Sequence, residues 1–290
     1  MNRQEYDRKY SEKLDIFLKY SENVFSGINS ESKICEAMKY SFFAGGKRIR
    51  PVLMLCFSDI IGGNDEKVLP FAFALECIHT YSLIHDDLPA LDNDDLRRGR
   101  PSCHIVYKES GAILAGDALL NLAFEHLLLN CKSEKDVKAA YLIADHAGFS
   151  GMLGGQALDI ESENGVDFDE NKLLSIYEKK TGKFLKLPFT VPATLFNEEL
   201  LGASEEYGNY FGLLFQFVDD LLDVKGNPDI IGKSTGKDEE ANKLTSIKIY
   251  GINGVYDRIN YLKNKLIDCA KRLDDSGFLN CLVDSVVERI

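Results

Sequence analysis

The chain has 290 residues, 45% of them apolar and 28% charged, with a formal net charge of −12. This length and balance fit a soluble globular protein with a large core, and the acidity argues against nucleic acid as a partner. A polyanionic substrate would be repelled too, unless metal cations or a local basic patch reversed the field. The 7 cysteines are scattered singly with no C-x-x-C pair. They suggest reduced thiols in a cytoplasmic setting, not a disulfide frame or a cysteine zinc site.

The first segment, "MNRQEYDRKYSEKLDIFLKYSE", is charged throughout and lacks the apolar stretch of a secretory signal. No apolar run is read as approaching the ~20 residues of a membrane span, so none is expected. Next comes "GGKRIRP" (45–51), with Lys47, Arg48 and Arg50 behind two glycines that permit close approach to a ligand. The segment "VLPFAFALECIHTYSLIHDD" (68–87) is apolar nearly all round, as in a helix buried within a bundle. It ends on Asp86 and Asp87. Pro89 interrupts the helix, and Asp92 follows. On an unbroken helix Asp92 would point about 240° from Asp86, whereas a bulged turn would bring it back alongside. Arg97 and Arg98 come next. Helical periods return over 116–130 and over 205–224, the latter with Ser204 as the expected N-cap. The stretch 226–243 is the most loop-like, and alternating strand patterns are scarce. The expected fold is therefore all-α, a many-helix bundle forming one domain over residues 1–290.

Five aspartates within ten positions, "DDLPALDNDD" (86–95), repel one another unless something offsets the charge. A second cluster, Asp219, Asp220 and Asp223, sits in the apolar setting "FQFVDDLLD" (215–223). Asp219 and Asp223, four apart, share a helix face, and Gln216 lies on it one turn earlier. Taken alone, that cluster could equally be the solvated end of an amphipathic helix. Facing the first cluster across a cavity, it would line a site for hard divalent cations, Mg²⁺ above all. The basic groups then read as a diphosphate cradle, since arginine forks match phosphate oxygens. His79 lies two turns before Asp86 on the same face, and "KKTGKF" (179–184) offers Lys180 and Thr181.

These motifs, with "GDALL", "GGQALD" and "GKSTGKD", run from about residue 44 to 238. In that order they resemble the trans-isoprenyl diphosphate synthases, most closely the bacterial farnesyl diphosphate synthases. The resemblance implies ten or more helices around a central catalytic cavity, a homodimer, and Mg²⁺, three ions, with Mn²⁺ as the alternative. It implies Asp86, Asp92 and Asp219 as metal ligands, with Asp87 and Asp223 supporting or water-mediated and Asp220 completing the metal set. Lys47, Arg50, His79 and Arg98 correspond to an isopentenyl diphosphate site. Arg97, Lys180, Thr181, Gln216, Lys233 and Lys243 correspond to an allylic diphosphate site, in which Lys180, Thr181 and Gln216 serve catalysis. Tyr81, with Ser82, corresponds to the residues that set a fifteen-carbon product. Geranyl or geranylgeranyl diphosphate is the alternative product. The segment "GKFLKLPFTVPATL" departs from the family's alanine-rich pattern, and Pro188 and Pro192 are expected to kink it. Two other classes fit less well. A non-catalytic acidic helical protein has no use for "GGKRIRP" beside intact acidic motifs. A terpene cyclase consumes one diphosphate and needs no second basic site.

Overall fold

Helix caps recur where the sequence supplies them. Asn2 and Glu5 form a reciprocal capping box at the first helix. Ser32, Asn64, Ser133 and Asp169 each accept a backbone N–H through the side chain at a later helix start. The computed structural model describes residues 1–28, 31–163, 169–225 and 244–290. The helices are α1 (Arg3–Ser26), α2 (Lys33–Phe42), α3 (Ile49–Ile60), α4 (Asp65–Asp86), α5 (Cys103–Asn130), α6 (Glu134–Ala147) and α7 (Met152–Glu163). They continue with α8 (Glu170–Ile176), α9 (Lys183–Phe196), α10 (Leu201–Lys225), α11 (Ser246–Ala270) and α12 (Phe278–Val287). Among the described residues the only sheet is a two-residue ribbon pairing Leu96–Arg97 with Arg100–Pro101. The all-α expectation therefore holds.

Two apolar clusters make the core. One gathers Phe17, Phe42, Phe71, Phe73 and Phe184 around α4 and α5. The other gathers Phe189, Tyr207, Phe211, Phe217 and Phe278 around α10 to α12. Helices α3 and α9 contribute to both clusters, Met54 and Leu187 to the first, Phe57 and Phe189 to the second. They form the shared wall against which α4 and α10 pack. Burying each phenylalanine contributes about 1.5–3 kcal/mol before the entropy cost of ordering.

Pro188 and Pro192 lie inside α9, which runs from Lys183 to Phe196. Two expectations change. Ser204 is not an N-cap: α10 begins at Leu201, after a 3₁₀ turn, and Ser204 is buried three residues in. Helices α4 and α5 are long and apolar enough to cross a membrane by length and composition, so the expectation of no such run does not hold. In α4 the apolar window is 78% buried inside the protein, as a core helix should be, but in α5 only 33% is.

Candidate active site

A cavity of about 590 Å³ opens between the C-terminal ends of α4 and α10. Its walls include Lys47, Arg50, His79, Tyr81, Ser82, Asp86, Arg97, Arg98, Lys180, Thr181, Gln216 and Asp219. Twelve residues singled out from the sequence thus meet in one space. Lys233 and Lys243 lie outside the described residues.

The turn after α4 forms because Leu88–Asp94 double back on the helix end. The Asp92 N–H reaches the Asp86 carbonyl at 2.9 Å, Asn93 reaches Leu88 at 3.1 Å, and Asp94 reaches Asp87 at 3.1 Å. The turn thus returns Asp92 to Asp86 despite their six-residue separation. Burial pushes the Asp86 carboxyl up to about 6; the Lys180 charge opposes the rise and Asp92 adds to it. Asp87 behaves differently: it is buried, it holds the Arg97 guanidinium through a short contact and a 2.9 Å bond from Nε, and it does not line the cavity. Asp87 thereby anchors Arg97 from outside the cavity wall.

The second acidic cluster also divides. Asp219 lines the cavity. Asp223 is buried one turn on. Asp220 is buried and does not line the cavity. One of its oxygens accepts from Tyr177 Oη, from Ser246 N at 2.7 Å and from Ser246 Oγ at 2.6 Å. The other accepts from Gln216 Nε2 at 3.1 Å. Protein donors thus engage both Asp220 oxygens, which sets it apart from Asp219 on the cavity wall.

The basic side is built on the loop before α3. Gly46 approaches Arg98 so closely that a Cβ there would meet the guanidinium at 2.8 Å. Arg98 donates to the Gly45 carbonyl at 2.5 Å, tying the "GGKRIRP" loop to the turn after α4. Arg48 also lines the cavity, held by a buried carboxylate. Its guanidinium pairs with Glu76 at 2.6 Å, both side chains about 1% exposed, and also meets the Phe42 carbonyl. Arg50 Nη1 donates to His79 Nε2 at 3.3 Å, and Arg50 Nε is buried without a protein partner. Burial, then the charges of Arg50, Arg98, Arg48 and Arg97, hold His79 well below the usual histidine range, so it is neutral at pH 7. Burial lowers Lys47 as well, with help from Arg289.

Lys180 and Thr181 sit in a π-helical turn, Tyr177–Gly182. Such turns widen a helix locally and recur at functional sites. Gly155 of α7 packs on this turn so closely that a Cβ would stand 2.1 Å from Lys180 N. Lys180 Nζ reaches Asp159 at 2.5 Å.

Tyr81 is buried on the cavity wall, edge-on to His85 with ring centroids 5.7 Å apart. Sequence reasoning missed Asp159, which lies inside "GGQALD" but 21 positions from its partner Lys180. It also missed Arg289, a lone arginine in no motif, which lines the cavity and stands 3.9 Å from Asp219.

Among the described residues no three acidic, histidine or cysteine groups already converge as a metal cage. Asp86 and Asp219 come from different helices and line the same space. Carboxylate oxygens on two walls, one of them burdened by burial, suit Mg²⁺, which is commonly held by one or two carboxylates plus substrate phosphates.

Acidic helix ends facing arginine-rich loops across a cavity define an enzyme class that handles diphosphates. The Polyprenyl synthetase family profile matches residues 31–275. A farnesyl diphosphate synthase of Micrococcus luteus is 40% identical over 90% of this chain and 90% of its own length. A chloroplastic geranylgeranyl pyrophosphate synthase of Catharanthus roseus is 43% identical over 76% of this chain and 63% of its own length. The crystal structure of a geranyltransferase from Helicobacter pylori, complexed with magnesium and isoprenyl diphosphate, superposes with a TM-score of 0.84. It is 29% identical and covers 96% of this chain and 95% of its own. The chain belongs to the polyprenyl synthetase family. It is a prenyltransferase of the trans-isoprenyl diphosphate synthase type.

Proposed function

We propose that the protein is a Mg²⁺-dependent farnesyl diphosphate synthase. It condenses isopentenyl diphosphate with dimethylallyl and then geranyl diphosphate. The observation that carries this reading is the shared cavity: Asp86 and Asp219 at one end, Lys47, Arg50, His79 and Arg98 beside them, and Tyr81 on the wall. The magnesium of the Helicobacter relative supports the metal. Bound Mg²⁺ would neutralise the allylic diphosphate and ease its departure, and Asp86, Asp92 and Asp219 are the residues to hold it.

The allylic C–O bond breaks and its electron pair leaves with the diphosphate. Arg97 and Lys180 stabilise the charge that develops there. The π pair of isopentenyl diphosphate then forms the new C–C bond, and a proton is lost to the departed diphosphate. Arg50, Lys47 and Arg98 fix the second diphosphate so that its double bond faces the allylic carbon. The Lys180 carbonyl, the Thr181 hydroxyl and Gln216 turn oxygen dipoles toward the positive carbon.

A fifteen-carbon product is favoured by the bulk of Tyr81, five residues and about 7.5 Å along α4 from Asp86. A twenty-carbon product is the second reading, favoured by the geranylgeranyl synthase among the relatives. Incubation with both five-carbon diphosphates and Mg²⁺, followed by chain-length analysis, separates them. A predominant twenty-carbon product would refute the first reading.

A second copy of the chain is proposed to cover α5 and its neighbours. Leu128 is 76% exposed, Phe149 85% and Tyr141 67%, alongside exposed Leu114 and Leu129. Large apolar side chains left this exposed on α5 and α6 are what a partner surface would cover. Light scattering should give twice the chain mass, and Leu128→Glu should shift it toward one.

A further inference from the structure

Gln216 and Asp220 lie four apart on α10, with Gln216 on the cavity and Asp220 behind it. The Gln216 amide has a donor end and an acceptor end, and its neighbours decide which faces where. Gln216 Nε2 donates to Asp220 Oδ1 at 3.1 Å. The opposite oxygen, Oδ2, is committed to Ser246 N at 2.7 Å, Ser246 Oγ at 2.6 Å and Tyr177 Oη. A backbone N–H can only donate, so Oδ2 is fixed as an acceptor and the carboxylate cannot turn away. The carboxylate therefore holds the amide nitrogen and leaves the amide oxygen to the cavity.

We propose that Asp220 is a positioning residue, which orients the Gln216 carbonyl oxygen toward the allylic carbon as positive charge develops there. This rests on the reading of Gln216 given under the proposed function. A dipole fixed before the reaction stabilises developing charge without reorganising. The reversed amide would present an N–H to a cation.

The geometry supplies a test in which polarity is exchanged at nearly constant shape. In Asp220→Asn the introduced carbonyl meets Ser246 and Tyr177, and the introduced amide nitrogen meets Gln216. Gln216 must then turn its oxygen to that introduced nitrogen and its own nitrogen to the cavity. In the double variant Asp220→Asn/Gln216→Glu, the introduced carboxylate accepts from the introduced amide and presents its second oxygen to the cavity.

The experiment uses the full chain with geranyl and isopentenyl diphosphates and Mg²⁺. Asp220→Asn should lower kcat about tenfold or more while both KM values stay within about threefold. The double variant should recover at least about half of that loss on a logarithmic scale, and that non-additivity is the signature of coupling. Tyr177→Phe removes one donor from the far side of Asp220 and leaves the Gln216 contact. It should lower the melting temperature with kcat little changed.

Three outcomes overturn the proposal. They are an unchanged kcat in Asp220→Asn, a folded double variant no better than the single one, or a raised Mg²⁺ requirement in Asp220→Asn, which would make Asp220 a ligand after all. Should Asp220→Asn prove unstable, the double variant decides alone, with a folded, active form supporting the proposal and a folded, inactive one refuting it. Absence of any condensation by the unmodified protein would instead refute the function on which this rests.

Discussion

Arg289 stands 3.9 Å from the Asp219 carboxylate, which joins the end of the chain to the acidic end of α10. Its guanidinium lies over the Phe215 ring at 5.4 Å, and its Nη1 is buried without a protein partner. A buried guanidinium N–H is costly to leave unmet, and a diphosphate oxygen in the cavity would meet it. Arg289→Ala should raise KM for a diphosphate substrate about tenfold, with a smaller effect on kcat. Steady-state kinetics with each substrate varied in turn checks this. Unchanged KM values would leave Arg289 as part of the wall only.

Removing divalent cations with a chelator should abolish turnover, and added Mg²⁺ should restore it. Asp86→Ala and Asp219→Ala should each cost roughly a thousandfold or more in kcat, because each takes away an oxygen ligand needed for ionisation. Retained activity in either variant would strike that residue from the metal site.

Arg50→Ala should act chiefly on isopentenyl diphosphate, raising its KM by about ten- to a hundredfold while the allylic KM moves less. The motivation is the position of Arg50 beside neutral His79, with Arg50 Nε buried and unpartnered. If only the allylic KM rose, the two diphosphate positions would be reversed.

Tyr81→Ala, assayed with excess isopentenyl diphosphate, should lengthen the product to twenty carbons or beyond. The ring is buried on the cavity wall and braced by His85. An active variant still making only the fifteen-carbon product would show that another residue closes the pocket.

Lys108 carries backbone angles φ 65° and ψ 166° within α5, a region that is essentially glycine-only. Such strain costs about 1–3 kcal/mol, against roughly 0.5–1 kcal/mol for the freedom a glycine loses on folding. Lys108→Gly should therefore stabilise by about 1 kcal/mol, or roughly 2 °C in a chain of this size. Calorimetry measures it, and a lowered melting temperature would mean the side chain contributes more than the strain costs.

The sequence carried the helices and the two acidic clusters because both are local signals. Apolar period reports a buried face directly, and clustered charge demands compensation nearby. It could not divide each cluster by role. Asp86 and Asp87 are adjacent and chemically identical, yet one lines the cavity and the other is anchored on Arg97. Asp219 and Asp220 diverge likewise, because Tyr177 and Ser246, distant in sequence, approach only the second. Arg48 looks like its neighbours in sequence, yet Glu76, 28 residues away, holds its guanidinium. Ser204 has the right chemistry for a cap, but the helix begins earlier, at Leu201 after the 3₁₀ turn. Each miss turns on a long-range partner or on where a helix begins, and residue type alone encodes neither.

The doubled-back turn after α4 has a consequence for how the chain tolerates change. Its shape is held by main-chain bonds from Asp92, Asn93 and Asp94, so the spacing of the acidic groups is a property of the number of residues between them. Pro89 and Ala90 at its tip are exposed. Their side chains can drift with little penalty, whereas one inserted or deleted residue would throw Asp92 out of phase with Asp86. The segment is free in spelling and rigid in metre, so insertions and deletions rather than point substitutions are its vulnerable class of mutation.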